Sequence, residues 1–193
     1  YRVHERTDGF RDLPDGRPPV AKLPGDAGWS TWSGREWRGS AEGSDVDGGA
    51  CPSFLEAERP VPPGLWPDRP TGLGCLDKVV EDVWSEAWSH HITRLMILSN
   101  LSTLLDFDPR DLTDWFWVAY TDAWDWVVEP NVLGMGTYGT GPLMTTKPYV
   151  SGAAYINRMS DYCADCTYNP RNRVGEDACP FTTLYWDFLA RHR

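Results

Sequence analysis

From Leu76 onward, apolar residues recur in steps of three and four, through Val79, Val80 and Val83 and on to Leu95, Leu98, Leu101 and Leu105. Such spacing keeps one stripe of a helix apolar, so the pattern predicts a long amphipathic helix over 76–105, weakest near Ser99-Asn100. Asp108-Pro109 then reads as an N-cap followed by proline at the first helical position. It opens a second helix that carries Trp115, Trp117, Val118, Thr121, Trp124 and Val128 and ends at Pro130. Residues 131–148 read as a glycine-rich loop, 151–162 as a third helix and 180–191 as a fourth, again with proline at its start. No alternating strand run and no internal repeat is present, so the predicted class is all-α.

The pattern fails toward the amino end. Residues 1–53 are rich in Gly, Pro, Arg, Asp and Ser, with no sustained period of either kind. They read as an irregular or disordered segment in which Trp29, Trp32 and Trp37 are isolated docking candidates. Residues 54–74 form a Pro-rich connector containing Arg59-Pro-Val-Pro-Pro63 and Trp66. Residues 75–193 form the helical part.

Composition narrows the function classes. No run approaches the ~20 apolar residues that cross a bilayer, so no membrane span is expected. The chain opens on Tyr1 with no charged-then-apolar leader, which predicts no signal peptide and a cytoplasmic location; a monomer is the separate expectation for its assembly. The formal charge of −10 argues against a protein that coats nucleic acid non-specifically. Residues 75–193 share that balance, with 9 Lys+Arg against 16 Asp+Glu, net −7. Eleven tryptophans are many for 193 residues. Core packing accounts for any one of them; beside a redox cofactor they also supply stacking surfaces and electron-transfer stations.

Five cysteines, an odd count with no leader, do not suggest a disulfide framework. Cys163-Ala-Asp-Cys166 is a C-x-x-C pair, whose turn points two sulfurs toward one centre. Zinc, an iron–sulfur cluster, a redox dithiol and plain buried thiols all use this spacing. Cys179, directly before Pro180, tips the balance toward a four-iron cluster, in which Cys-Pro is a recurrent ligand. A fourth ligand comes from Cys75 or Cys51. Cys75 heads the well-patterned region and is favoured, giving Cys75, Cys163, Cys166 and Cys179.

His90-His91 falls inside the first predicted helix, with Arg94 one turn on. As neighbours the two histidines face about 100° apart and cannot both reach one spot. A surface or packed pair is the plain reading; a proton donor at a cofactor or substrate, with Arg94 on a phosphate, is the sharper one. Trp115-Phe-Trp117, Trp124 and Trp126 read as helix core, and beside a redox cofactor as a chain of stations. Asp122 and Asp125 alternate with them. Asn131-Val-Leu-Gly-Met-Gly136 sets glycine where a backbone meets a neighbouring helix or a flat ring closely. No phosphate-binding loop, nucleophile elbow, H-E-x-x-H or dinucleotide fingerprint is present.

Gly74-Cys75, Ser89-His-His-Ile-Thr-Arg-Leu-Met96, Asn131-Val-Leu-Gly-Met135, Thr146-Lys-Pro-Tyr-Val-Ser151, Tyr155-Ile-Asn-Arg-Met-Ser160, Tyr162-Cys-Ala-Asp-Cys166 and Gly175-Glu-Asp-Ala-Cys-Pro-Phe181 occur in this order. Together they resemble the C-terminal part of the prokaryotic iron–sulfur photolyase/cryptochrome family, from about Phe54 to the last residue. The resemblance implies a truncated all-helical catalytic domain with FAD and a [4Fe-4S] cluster on Cys75, Cys163, Cys166 and Cys179. It implies UV-damaged DNA as partner and light-driven repair of (6-4) pyrimidine photoproducts. His91, with His90 beside it, falls at the lesion pocket, and Trp115 on the electron path. Arg94, Trp115, Asp122, Asn131, Met135 and Tyr149 fall on or near the flavin site. The family's N-terminal antenna domain has no counterpart here, and Phe116 stands where tyrosine serves in photoreduction. A blue-light sensor and a degenerate cluster-binding domain are the alternatives.

Overall fold

The computed structural model describes residues 53–192. The irregular segment expected over 1–52, with Trp29, Trp32, Trp37 and Cys51, lies outside the described residues. Within them the protein is all-helical; the only strand-like pairings are isolated bridges, Arg59 with Phe107 and Asn169 with Ala178. No helix there is long and apolar enough to cross a membrane.

Helix α1 (Gly74–Glu86) buries Cys75, Leu76, Val79, Val80 and Val83 on one face. Its approach is fixed by the Asp77 carboxylate, which accepts the Thr71 backbone N–H at 2.7 Å and the Gly72 N–H at 2.9 Å. The predicted long helix does not continue to Leu105. It stops at Ala87, which takes a left-handed conformation (φ 52°) and donates its N–H to Val83 O. Trp88, Ser89 and His90 form the break, and α2 (His91–Thr93) starts afresh. The histidines therefore sit at a helix start and not mid-helix. The second piece runs unbroken through a π-helical stretch (Arg94–Ser99) into α3 (Asn100–Leu104), so Ser99-Asn100 is no break. There Asn100 donates to Met96 O and Ser151 O, and its own Oδ1 accepts the Ser151 N–H at 3.0 Å.

Helix α4 (Pro109–Ala119) begins as the sequence predicts. Asp108 accepts the Arg110 N–H at 2.7 Å, and proline opens the first turn. It ends at Tyr120, earlier than expected. Helix α5 (Asp125–Val128) then passes into a second π-helical stretch (Glu129–Gly136) with Pro130 inside it. Proline ends an α-helix because it lacks an N–H and crowds the preceding turn. At a junction into the wider π turn, where i→i+5 pairing replaces i→i+4, Pro130 is accommodated. Much of the supposed glycine loop is thus helix.

Helix α6 (Ala153–Met159) is shorter than the predicted 151–162, and α7 (Pro180–Arg191) matches its expected range. The two π stretches pack on each other, with α1 against the first and α4 against the second. Their crossing is tight. A Cβ on Gly136 would stand 2.7 Å from Ser99 Oγ and 2.9 Å from Ser99 Cβ. An ion pair from Arg110 to Glu129 ties the start of α4 to the second stretch. At the far end, Arg191 pins α7 to the end of α3, donating to Asp106 Oδ2 at 2.6 Å and Leu104 O at 3.0 Å.

Leu65 and Trp66, just upstream of α1, join the buried core with Val83, Leu98, Leu112, Trp115 and Phe181. Of the aromatic run expected as core, Trp115, Phe116 and Trp117 are buried. Trp124 and Trp126 are not: they are 48% and 75% exposed, because the break at Tyr120 turns α5 outward.

Candidate functional site

The breaks in both predicted long helices meet. The Ala87 carbonyl accepts the Thr121 N–H at 3.0 Å, which sets the Ala87–His90 break beside the Tyr120–Trp124 break. Between these turns and the π stretches lies a cavity of about 400 Å³. Phe116, Val127, Val128 and Val132 supply an apolar wall; Ser89, His90, His91, Arg94, Asp122 and Asn131 supply polar groups. His90 and His91 are exposed at its rim.

Arg94 organises the polar side. Its Nε donates to Ser89 O at 2.9 Å, and Nη1 and Nη2 donate to the two Asp122 carboxylate oxygens, each at 2.9 Å. The guanidinium also lies over the Tyr120 ring, 4.1 Å from its centroid. A bidentate fork stacked on an aromatic face is held in orientation as well as in place. The Tyr120 hydroxyl in turn meets Ser89 Oγ at 2.8 Å. Burial pushes the Tyr120 phenol well above its ordinary range, so at neutral pH it is a neutral hydrogen-bonding group.

Of the predicted flavin-site residues, the cavity gathers Arg94, Asp122 and Asn131 with both histidines. Three others stand apart. Trp115 is fully buried behind the wall, its ring edge-on to Trp84 at 6.3 Å, Phe116 at 5.2 Å and Tyr120 at 6.0 Å. Its Nε1–H has no hydrogen-bond partner among the described residues. Met135 is half-buried on the second π stretch, and Tyr149 is 38% exposed; neither lines the cavity. Ser89 and Tyr120 are not singled out by the sequence as site residues, and Phe116, singled out for the electron path, stands in the cavity wall. Only the opposite charges of Arg94 and Asp122 hinted at the pairing, and nothing in the sequence marks residues 28 apart as partners.

The cysteines form a second locality. Cys75 lies in the first turn of α1, Cys179 is the N-cap of α7, and Cys163 and Cys166 lie in the loop after α6. All four are free thiols. Cys166 rests against Gly74: a Cβ there would stand 3.5 Å from Cys166 Cβ and 3.6 Å from its Sγ. The Cys75 thiol is pushed up to about 12, first by burial and then by the nearby Cys179, Cys163 and Cys166. Burial raises Cys163 and Cys179 as well, each with a further contribution from its thiol neighbours. Among the described residues, no three His, Cys, Asp or Glu side chains are spaced to share one metal ion. Four thiols, with no histidine or carboxylate among them, are the donor chemistry that an iron–sulfur cluster takes.

The all-helical fold of the described residues is consistent with the C-terminal helical domain of a photolyase. A (6-4) photolyase of Agrobacterium fabrum is 45% identical over 141 residues, covering 73% of this chain and 28% of that protein. Over those residues the chain is a homologue of that photolyase and corresponds to a fragment of it. An uncharacterized protein of Acanthamoeba polyphaga mimivirus is 34% identical over 94 residues, 49% of this chain and 69% of that protein. The chain thus spans just over a quarter of the length of the curated photolyase it matches. No protein-family model matches it.

Proposed function

We propose that this chain is the cofactor- and lesion-facing helical part of a light-driven DNA photolyase acting on (6-4) pyrimidine photoproducts. The observation that carries the reading is the cavity, which draws His91, Arg94, Asp122 and Asn131 from separate stretches of a chain related to a (6-4) photolyase.

The cavity suits a flat heteroaromatic group. Its volume lies in the ordinary range for small-molecule sites, with one apolar wall and hydrogen-bonding groups along the other side. FAD is the group proposed, and reduced flavin excited by blue light supplies the electron that starts repair of a lesion flipped from the duplex. Arg94 has three of its five donors committed to Ser89 and Asp122, leaving two N–H groups for a bound acceptor. Asn131 donates through Nδ2 to Val127 O at 2.7 Å, which leaves its carbonyl oxygen as an acceptor. His91, exposed at the rim, is the proton donor to the lesion. UV-damaged DNA is the partner, engaged through the cavity mouth. Cys75, Cys163, Cys166 and Cys179 are the donor set for a [4Fe-4S] cluster. Their thiols must lose protons to bind it, and the bound cluster would tie α1 to α7 and the loop before it.

The test is blue-light repair of an oligonucleotide carrying one (6-4) photoproduct, by the chain loaded with reduced flavin. Repair in light and none in darkness is expected, and His91→Ala should abolish it while flavin binding persists. Flavin photoreduction without repair would move the cavity to light sensing. Repair by His91→Ala would return that residue to packing.

A further inference from the structure

The two adjacent imidazoles are not equivalent. His90 is the N-cap of α2, with extended backbone (φ −62°, ψ 145°), and its Nδ1 accepts the Ile92 backbone N–H at 3.1 Å. A backbone N–H is a permanent donor, so Nδ1 must keep its lone pair free. The ring proton then sits on Nε2, and protonating Nδ1 would break the cap. The His90 carbonyl is committed too, accepting the Thr93 N–H at 3.0 Å and the Thr93 hydroxyl at 2.7 Å. One residue earlier, Ser89 is held at both of its polar ends, by Arg94 Nε on its carbonyl and by Tyr120 on its hydroxyl. The backbone turn that starts α2 is thus fixed on either side of His90. His91 is the next residue. Its imidazole opens on the cavity without a hydrogen-bond partner among the described residues.

We propose that His90 is a positioning residue, not a proton donor: it caps α2 as a fixed Nε2–H tautomer and so aims His91, which alone exchanges a proton at the cavity. The capping half stands on geometry alone; the proton-exchange half rests on the functional reading above.

The experiment uses the 193-residue chain with nitrogen-15 histidine. His90 should show one Nε2–H tautomer with an acceptor Nδ1, and His91 an average of both tautomers. His90→Ala should lower the folding equilibrium constant about fivefold and shift the His91 ring signals. His90→Asn, a better natural cap, should restore both. In the flavin-loaded protein, repair should fall in His90→Ala and recover in His90→Asn. Tautomer averaging at His90, or His90→Asn as unstable as His90→Ala, overturns the cap. A stable His90→Asn with unshifted His91 signals but no recovered repair overturns the division of roles. If the unmutated chain repairs nothing, the functional reading fails, while the tautomer and stability results still decide the cap. Should His90→Ala fail to fold, the tautomer spectrum and His90→Asn decide it alone.

Discussion

Gly136→Ala probes the crossing on which the cavity depends. The two π stretches approach so closely that the new methyl would stand 2.7 Å from Ser99 Oγ, 2.9 Å from Ser99 Cβ and 3.1 Å from Asn131 O. The hydroxyl can rotate away, but Ser99 Cβ is fixed to its own helix and Ser99 is buried. One stretch must therefore move. Overpacking of this kind costs about 1–3 kcal/mol, and a backbone shift belongs to the upper half of that range. Alanine's better helix propensity returns up to about 1 kcal/mol. The net expectation is a loss of about 1–2 kcal/mol, roughly a 5- to 30-fold fall in the folding constant. Urea unfolding reads this as a midpoint lower by about 0.5–1 M at unchanged slope. Ser99→Gly removes both atoms of the clash, so Gly136→Ala in that background should cost about 1–2 kcal/mol less than in the parent. Because Ser99, Asn131 and Val132 also line the cavity, the single variant should bind flavin more weakly. A Gly136→Ala chain as stable as the parent, or equal costs in both backgrounds, would refute the reasoning.

Other consequences follow from the thiols and the ion pair. Cys163→Ser should lose iron and the broad visible absorbance of a cluster, and lower the thermal midpoint of the anaerobically prepared protein, because the loop then no longer shares a ligand set with α1 and α7. If the variant keeps its iron, Cys163 is no ligand. The metal-free chain should lose stability with rising pH. Cys75 titrates from an ordinary value of 9.0 unfolded to about 12 folded, so the fold favours the protonated thiol. The stability is whole below pH 9 and drains by up to ~1.4 kcal/mol per pH unit toward pH 12, which urea midpoints across that span would show. Asp122→Asn breaks the fork on Arg94. Since Asp122's side chain is 44% exposed, the stability cost should stay near ~1 kcal/mol while flavin affinity falls more steeply; a change in stability alone would make the pair a strut.

The sequence carried the helical class and several helix starts because their causes are local. Asp108-Pro109 and Cys179-Pro180 each set a helix start by backbone chemistry within one turn. The Ala87 break is different. An alanine in the left-handed region has no local signature, and it holds because the Ala87 carbonyl binds Thr121, 34 residues away. Pro130 misled for a related reason: its rule assumes an α-helix, and the chain continues here as a π turn packed on α4. The cavity arises where these irregularities meet. So His91, Arg94, Asp122 and Asn131 could be named in advance, but the clamp that Asp122 forms with Ser89 and Tyr120 around Arg94 could not.

The most direct test of the account is an absorption spectrum, with iron and flavin quantified, of the chain prepared without oxygen and supplied with FAD. The account predicts structured flavin bands on a broad iron–sulfur background, with four irons and one flavin per chain; zinc in place of iron, or a protein that takes up no flavin, would contradict it.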